Sequence, residues 1–177
     1  MAAGHPARRP TKTATATSDT AVTTDFTTCD LYDADETLQS VSLQMLNLGG
    51  RRRFCGPVRT IRCLRDNGLI KATLNSPGHG AVLVIDGAGS LESALMGDMI
   101  AEAAAANAWS GVVINGAIRD RAALAGIDLG VKALGSNPRR SAKQGTGEQD
   151  VPVEFSGVVF RPGAILHSDE DGILVEP

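Results

Sequence analysis

Aromatic residues are scarce: Phe, Tyr and Trp make up 3% of the 177 residues, with one Trp and one Tyr. The core must therefore come mainly from Ala, Val, Leu and Ile within a hydrophobic fraction of 42%. A chain of this length buries ~70% of its unfolded surface on folding, which excludes global disorder. Cysteine is equally sparse. Cys29, Cys55 and Cys63 are odd in number and lack the CxxC or His-paired spacing of a zinc site, so reduced, mostly buried thiols are expected. No apolar run approaches the ~18–20 residues of a spanning helix, and the N-terminus lacks the apolar stretch of a signal peptide. A soluble, cytoplasmic chain with no membrane partner is the expectation. Neither charge sign dominates: 17 Lys plus Arg against 20 Asp plus Glu leave −3. That balance gives no whole-protein attraction to nucleic acid or anionic lipid.

Several catalytic signatures are also missing. There is no P-loop Gly-Lys-Ser/Thr, no HExxH and no GxSxG, which removes the common NTPases, zinc proteases and α/β-hydrolases. The turn Asp86-Gly87-Ala88-Gly89 follows an apolar run as a dinucleotide fingerprint would. Its third glycine position, however, is Glu92, and Asn115 stands where the fingerprint wants an acid. A tight turn at a strand end accounts for it.

The chain divides into a disordered tail, residues 1–24, rich in Ala, Thr, Arg and Pro, and a single domain over 25–177. Leu38, Val41, Met45 and Leu46 recur at helical spacing ahead of Gly49-Gly50, which predicts a short helix. Alternation over Val58 to Leu64 predicts a strand with a basic outer face, six arginines falling between 51 and 65. Without interleaved aromatics, that face reads as solvated or facing another subunit rather than as a nucleic-acid surface. Ala81–Ile85 and Gly111–Ile114 are buried strands. Between them the Ala-rich stretch Met99–Trp109 is a strong helix former with Asp98 placed as its N-cap. Together these predict a βαβ unit with a right-handed crossover. Ala122–Ala125 reads as a helical turn, and Val131–Leu134, Val151–Phe155, Gly157–Phe160 and Ile173–Val175 as short strands. Residues 135–148, rich in Gly, Ser, Pro and Lys, read as a mobile loop. His5, His79 and His167 have no ligand-spaced partner, and the acids Asp169, Glu170 and Asp171 fit no EF-hand.

One constellation carries chemistry. Gly97-Asp98-Met99-Ile100 opens the Ala-rich helix, and Gly116-Ala117-Ile118-Arg119-Asp120 leaves the strand after it, so the two loops should meet. Helix N-termini and strand carboxyl ends are where α/β folds receive anions. Arg119 can grip a carboxylate bidentately, and Asp120 offers a hard oxygen to Mg²⁺ or Mn²⁺. The same residues are also compatible with a plain helix cap and a surface Arg–Asp pair.

Asp98, followed after twenty residues by Arg119-Asp120, resembles the metal motif of the RraA-like family. That family unites regulators of ribonuclease activity with class II 4-hydroxy-4-methyl-2-oxoglutarate aldolases. Cys29-Asp30, Gly49-Gly50-Arg51, Phe54-Cys55-Gly56-Pro57, Asp66-Asn67, Val82 to Gly87, Gly111 to Ile114 and Ser168 to Ile173 extend the likeness over roughly 27–175. The resemblance implies an α/β fold, a swivelling β/β/α domain like that of phosphohistidine domains, with mixed sheets and flanking helices. It implies a homotrimer with sites between subunits. In the family's aldolases, the amides at the positions of Gly97, Asp98, Met99 and Ile100 hold the pyruvyl part of a small 2-oxo acid. The Arg119 position contacts that substrate, the Asp120 position binds the metal, and the Asp98 position supports the metal through water. The implied activity is metal-dependent retro-aldol cleavage of 4-hydroxy-4-methyl-2-oxoglutarate and decarboxylation of oxaloacetate, with catalytic roles for Arg119 and Asp98. Two features differ from the aldolase pattern: Ala123 stands where an acid usually follows the motif Asp by three residues, and the chain stops at Pro177 without the acid-bearing C-terminal extension. The regulator branch implies instead a non-catalytic protein that binds ribonuclease E or a degradosome helicase and inhibits RNA cleavage without itself contacting nucleic acid.

Overall fold

The computed structural model describes residues 25–177, so the expected tail over 1–24, with His5, lies outside the described residues. In chain order the elements are α1 (Thr28–Ala34), β1 (Gln39–Ser40), β2 (Leu46–Asn47), β3 (Phe54–Arg62), α2 (Gly68–Leu74), β4 (Val82–Asp86), β5 (Ala94–Met96) and α3 (Asp98–Ala106). There follow β6 (Gly111–Ile118), α4 (Arg121–Leu124), β7 (Gly130–Ser136), β8 (Glu148–Gln149), β9 (Val153–Phe155), β10 (Val158–Phe160), β11 (Ile165–Ser168) and β12 (Ile173–Val175).

Parallel strands β3, β4, β6 and β7 form the centre of a mixed sheet ordered β1-β12-β11-β3-β4-β6-β7-β2, with β5 beside β6 and β8 beside β3. Alternation along the central strands builds two cores. Leu83 and Ile85 of β4, with Val112 and Ile114 of β6, face Ile70, Leu74, Ala101, Ala104 and Trp109 on the helix side. Val82, Val84 and Val113 point the other way, onto Phe155, Phe160, Leu166, Ile173 and Val175. Strands covered on both faces carry apolar residues at every position, which is why β6 is buried from end to end. The result is a mixed α/β molecule with helices on one face of the central sheet and antiparallel strands on the other.

The expected βαβ unit is present, with β4 and β6 parallel and in register from Val82↔Gly111 to Asp86↔Asn115. The helix expected over 38–46 is not. That stretch is extended, and Val41, Leu43 and Met45 face the second core at every other residue, while Ser42 and Gln44 point outward. A period of two fits these residues as well as the helical spacing does, and the strand partners of β1 and β2 decide between them. The loop over 135–148 is also not free. Asp66 accepts from the Gln144 and Gly145 N–H groups at 2.8 and 3.0 Å, Ala94 N–H donates to the Arg139 carbonyl at 2.8 Å, and the Ser93 and Ser141 hydroxyls meet at 2.9 Å.

The basic strand is neutralised. Arg51 pairs with Asp128 at 2.9 Å, Arg59 with Asp150 at 2.7 Å, Arg62 with Glu148 at 3.0 Å and Arg65 with Glu92. Cys55 and Cys63 are buried and Cys29 is exposed; desolvation, with Asp66 and Asp86 nearby, pushes the Cys63 thiol up to about 12. Among the described residues no helix is long and apolar enough to cross a membrane.

Candidate functional site

The end of β6 and the start of α3 meet as their loop sequences require, because β6 runs on through Ile118 and carries Arg119-Asp120 past β5 to the helix N-terminus. The Arg119 N–H donates to the Met96 carbonyl at 2.9 Å, which pins the two loops together. The cap of α3 is Gly97, in extended conformation, and not Asp98. Asp98 is the first helical residue, and its carboxylate accepts from the next amide, Met99 N–H, at 2.7 Å. With Gly97 at the cap, no side chain closes the helix end. The Ile100 N–H has no acceptor among the described residues, leaving the positive end of the helix open to an anion.

Gly97 stands there because of space. A Cβ at this position would lie 2.6 Å from Asp120 Oδ2 and 3.0 Å from Arg119 Cγ. The absent side chain is the room in which the Asp120 carboxylate sits against the helix end, with Asp98 N–H 3.4 Å from Oδ2. Arg119 Nε donates to the same Oδ2 at 3.1 Å, with both side chains about 30% exposed (29% and 30%). This bond uses the inner nitrogen and leaves the two outer ones for a ligand. Asp120 itself is left-handed, φ 59° and ψ 40°, a conformation Asp tolerates better than most residues and one that concentrates at functional positions.

These residues line a cleft of about 320 Å³. Gly97, Asp98, Met99, Ile100, Arg119 and Asp120 are all on its wall, so the structure brings together every site residue expected from sequence. It adds Lys71 and Asn67 from α2 and its approach, and Arg140 and Lys143 from the loop after β7. Those four were not foreseen. The available signal was charge: between Asp128 and Glu148 the chain carries Lys132, Arg139, Arg140 and Lys143 and no acid. The other histidines stay apart, His79 in an exposed turn with φ 50°, and His167 half-buried edge-on to Phe26 with its Nδ1 unpartnered.

The donor set fits a hard divalent cation. Among the described residues no three His, Cys, Asp or Glu side chains gather as a metal cage. The cleft instead offers two carboxylates, Asp98 and Asp120, beside open space that Gly97 keeps clear. Mg²⁺ typically takes one or two carboxylates and completes its shell with water and substrate oxygens.

Fold and cleft together define a mixed α/β protein that presents two acids and several cations at the carboxyl ends of its parallel strands. Residues 28–175 match the RraA-like family, Aldolase/RraA, and the chain belongs to that family. The structure is similar to that of the RNA-processing inhibitor RraA from Thermus thermophilis, with 42% identity and a TM-score of 0.84 over 86% of this chain and 93% of that one. It is similar also to S-adenosylmethionine:2-dimethylmenaquinone methyltransferase from Geobacillus kaustophilus, at 41% identity and TM-score 0.82 over 85% of this chain and 94% of that one. RraAS2 from Streptomyces coelicolor, an unusual member of the RNase ES inhibitor RraA family, matches at 25% identity and TM-score 0.69 over 84% of this chain and 78% of that one.

Proposed function

We propose that the protein is a divalent-metal-dependent lyase that cleaves 4-hydroxy-4-methyl-2-oxoglutarate to pyruvate by a retro-aldol reaction and decarboxylates oxaloacetate. The observation that carries this reading is the space at Gly97, which seats the Asp120 carboxylate and the Arg119 guanidinium at the open N-terminus of α3. Asp120, supported by Asp98, would hold Mg²⁺ or Mn²⁺, and the bound ion would act as a Lewis acid toward the 2-oxo acid. The substrate carboxylate docks on the uncapped amides of α3, where the helix dipole favours negative charge. Arg119, anchored through Nε to Asp120, turns its outer nitrogens toward the oxygen that becomes the enolate when the C–C bond breaks. Its charge is already in place, so it need not reorganise as negative charge develops. The same enolate forms whether the departing group is a carbonyl compound or CO₂. The active assembly is a homotrimer with its sites between subunits.

Asp120→Ala should abolish metal binding and metal-dependent turnover. Arg119→Ala should retain the metal and lose ~2–4 kcal/mol of transition-state stabilisation, about 30- to 1,000-fold in rate. Wild-type rates from either variant would refute the assignment.

A second reading is favoured by the 42% identity to the RNA-processing inhibitor RraA. On that reading the chain binds ribonuclease E or a degradosome helicase as a regulator. The Arg–acid pairs on β3 and its flanks suit a protein partner better than direct RNA contact. A tagged-protein pulldown that recovers neither a ribonuclease nor a helicase, with RNA decay unchanged on overexpression, would reject it.

A further inference from the structure

The candidate cleft holds more positive charge than pyruvate chemistry needs. Its wall carries four cations, Lys71, Arg119, Arg140 and Lys143, against two carboxylates, Asp98 and Asp120. Arg119 is paired with Asp120. The other three make no ion pair among the described residues, although Arg51, Arg59, Arg62 and Arg65 each hold an acid.

Arg140 and Lys143 are also held in place from below. The Ala142 N–H donates to the Arg65 carbonyl at 2.9 Å, and Asn67 N–H donates to the Ala142 carbonyl at 2.9 Å. Asp66 grips the Gln144 and Gly145 amides just beyond Lys143. The buried Ser93–Ser141 contact and the Ala94–Arg139 hydrogen bond fix the near side of Arg140. The backbone is therefore set on both sides of each cation before any ligand arrives, which reduces the ordering cost of binding.

We propose that Arg140 and Lys143, with Lys71 at the rim, form a second carboxylate subsite, so that the substrate is a 2-oxo acid carrying a further carboxylate at the end of its carbon chain. The inference rests on the proposed 2-oxo acid chemistry and assigns its specificity. Arg119, the helix amides and the metal receive the 2-oxo acid end. The pinned loop then receives the distal carboxylate through charge-assisted hydrogen bonds, which Arg140 can make in pairs.

Calorimetry on the full chain in Mg²⁺, with pyruvate and 2-oxoglutarate as probes, tests this. 2-Oxoglutarate carries the distal carboxylate but lacks the 4-hydroxyl needed for retro-aldol cleavage. Wild type should bind 2-oxoglutarate at least about tenfold more tightly than pyruvate, as one charge-assisted contact implies. The double variant Arg140→Ala, Lys143→Ala should lose that advantage while its pyruvate Kd stays within about twofold of wild type. Arg140→Lys should keep part of the preference. Equal affinities in wild type, or an equal loss for both probes in the double variant, would overturn the subsite while leaving the lyase reading intact. Failure of wild type to bind either probe would overturn both.

Discussion

The substitution Gly97→Ala tests the site through a single methyl group. Gly97 has φ −133° and ψ −171°, extended backbone that alanine adopts freely, so no conformational strain enters. The new Cβ would stand 2.6 Å from Asp120 Oδ2, 3.0 Å from Arg119 Cγ and 3.4 Å from Arg119 Cδ. To reach ordinary van der Waals contact the carboxylate oxygen must retreat by roughly 0.8 Å, and Arg119 must move with it because the two are hydrogen-bonded. Relieving such a clash costs ~1–3 kcal/mol when the neighbours are rigid, and less here because both side chains are partly exposed. The fold should thus survive with a small drop in Tm. A displacement of this size at a metal-bearing carboxylate should weaken Mg²⁺ binding and slow pyruvate release by about 10- to 100-fold. Calorimetric Mg²⁺ titration and a coupled pyruvate assay on the same preparation read both effects. Wild-type metal affinity and turnover in Gly97→Ala would refute the idea that this glycine keeps the space for Asp120.

Two further predictions concern the scaffold. Asp66→Ala removes the acceptor for the Gly68, Gln144 and Gly145 amides and should cost about 2 kcal/mol, seen as a lower urea midpoint; an unchanged midpoint would show that the loop after β7 does not depend on Asp66. Burial holds His167 below its ordinary value of 6.5, with Glu176 opposing the shift only in part. Because the unfolded chain takes up this proton first as pH falls, the stability that neutral His167 contributes is present above about pH 6.5 and is lost as pH falls below it. His167→Gln should flatten the fall in urea midpoint between pH 7 and pH 5, and an identical slope in both proteins would contradict the assignment.

What the sequence revealed and what it hid follow from the range of the interactions involved. β4, α3 and β6 are legible because each is self-announcing: continuous apolar runs for strands covered on both faces, and an alanine-rich run for the helix between them. Their connection then fixes where Asp98 and Arg119-Asp120 must meet, so the heart of the cleft was readable before its geometry. The extended course of 38–46 was not, because Leu38, Val41, Met45 and Leu46 fit a helical period while Val41, Leu43 and Met45 fit a strand period. Only distant partners, β12 and β7, choose between them. The loop over 135–148 misled for the same reason. Its composition is that of a mobile segment, and its anchors, Asp66 and Ser93, lie 78 and 48 residues away in the chain. Lys132 is the plainest surprise: it sits in β7 at 2% exposure, where burial lowers its pKa and Asp169, Glu170 and Asp171 partly restore it. Nothing in the local pattern Val131-Lys132-Ala133 distinguishes it from an outward-facing lysine.

The most direct test of the central claim is pyruvate release from oxaloacetate and from 4-hydroxy-4-methyl-2-oxoglutarate by the purified full chain, with Mg²⁺ or with EDTA, alongside Asp120→Ala. The account predicts turnover that requires the metal and disappears in the variant. Turnover no greater than that of Mg²⁺ alone, or turnover that persists in Asp120→Ala, would contradict it.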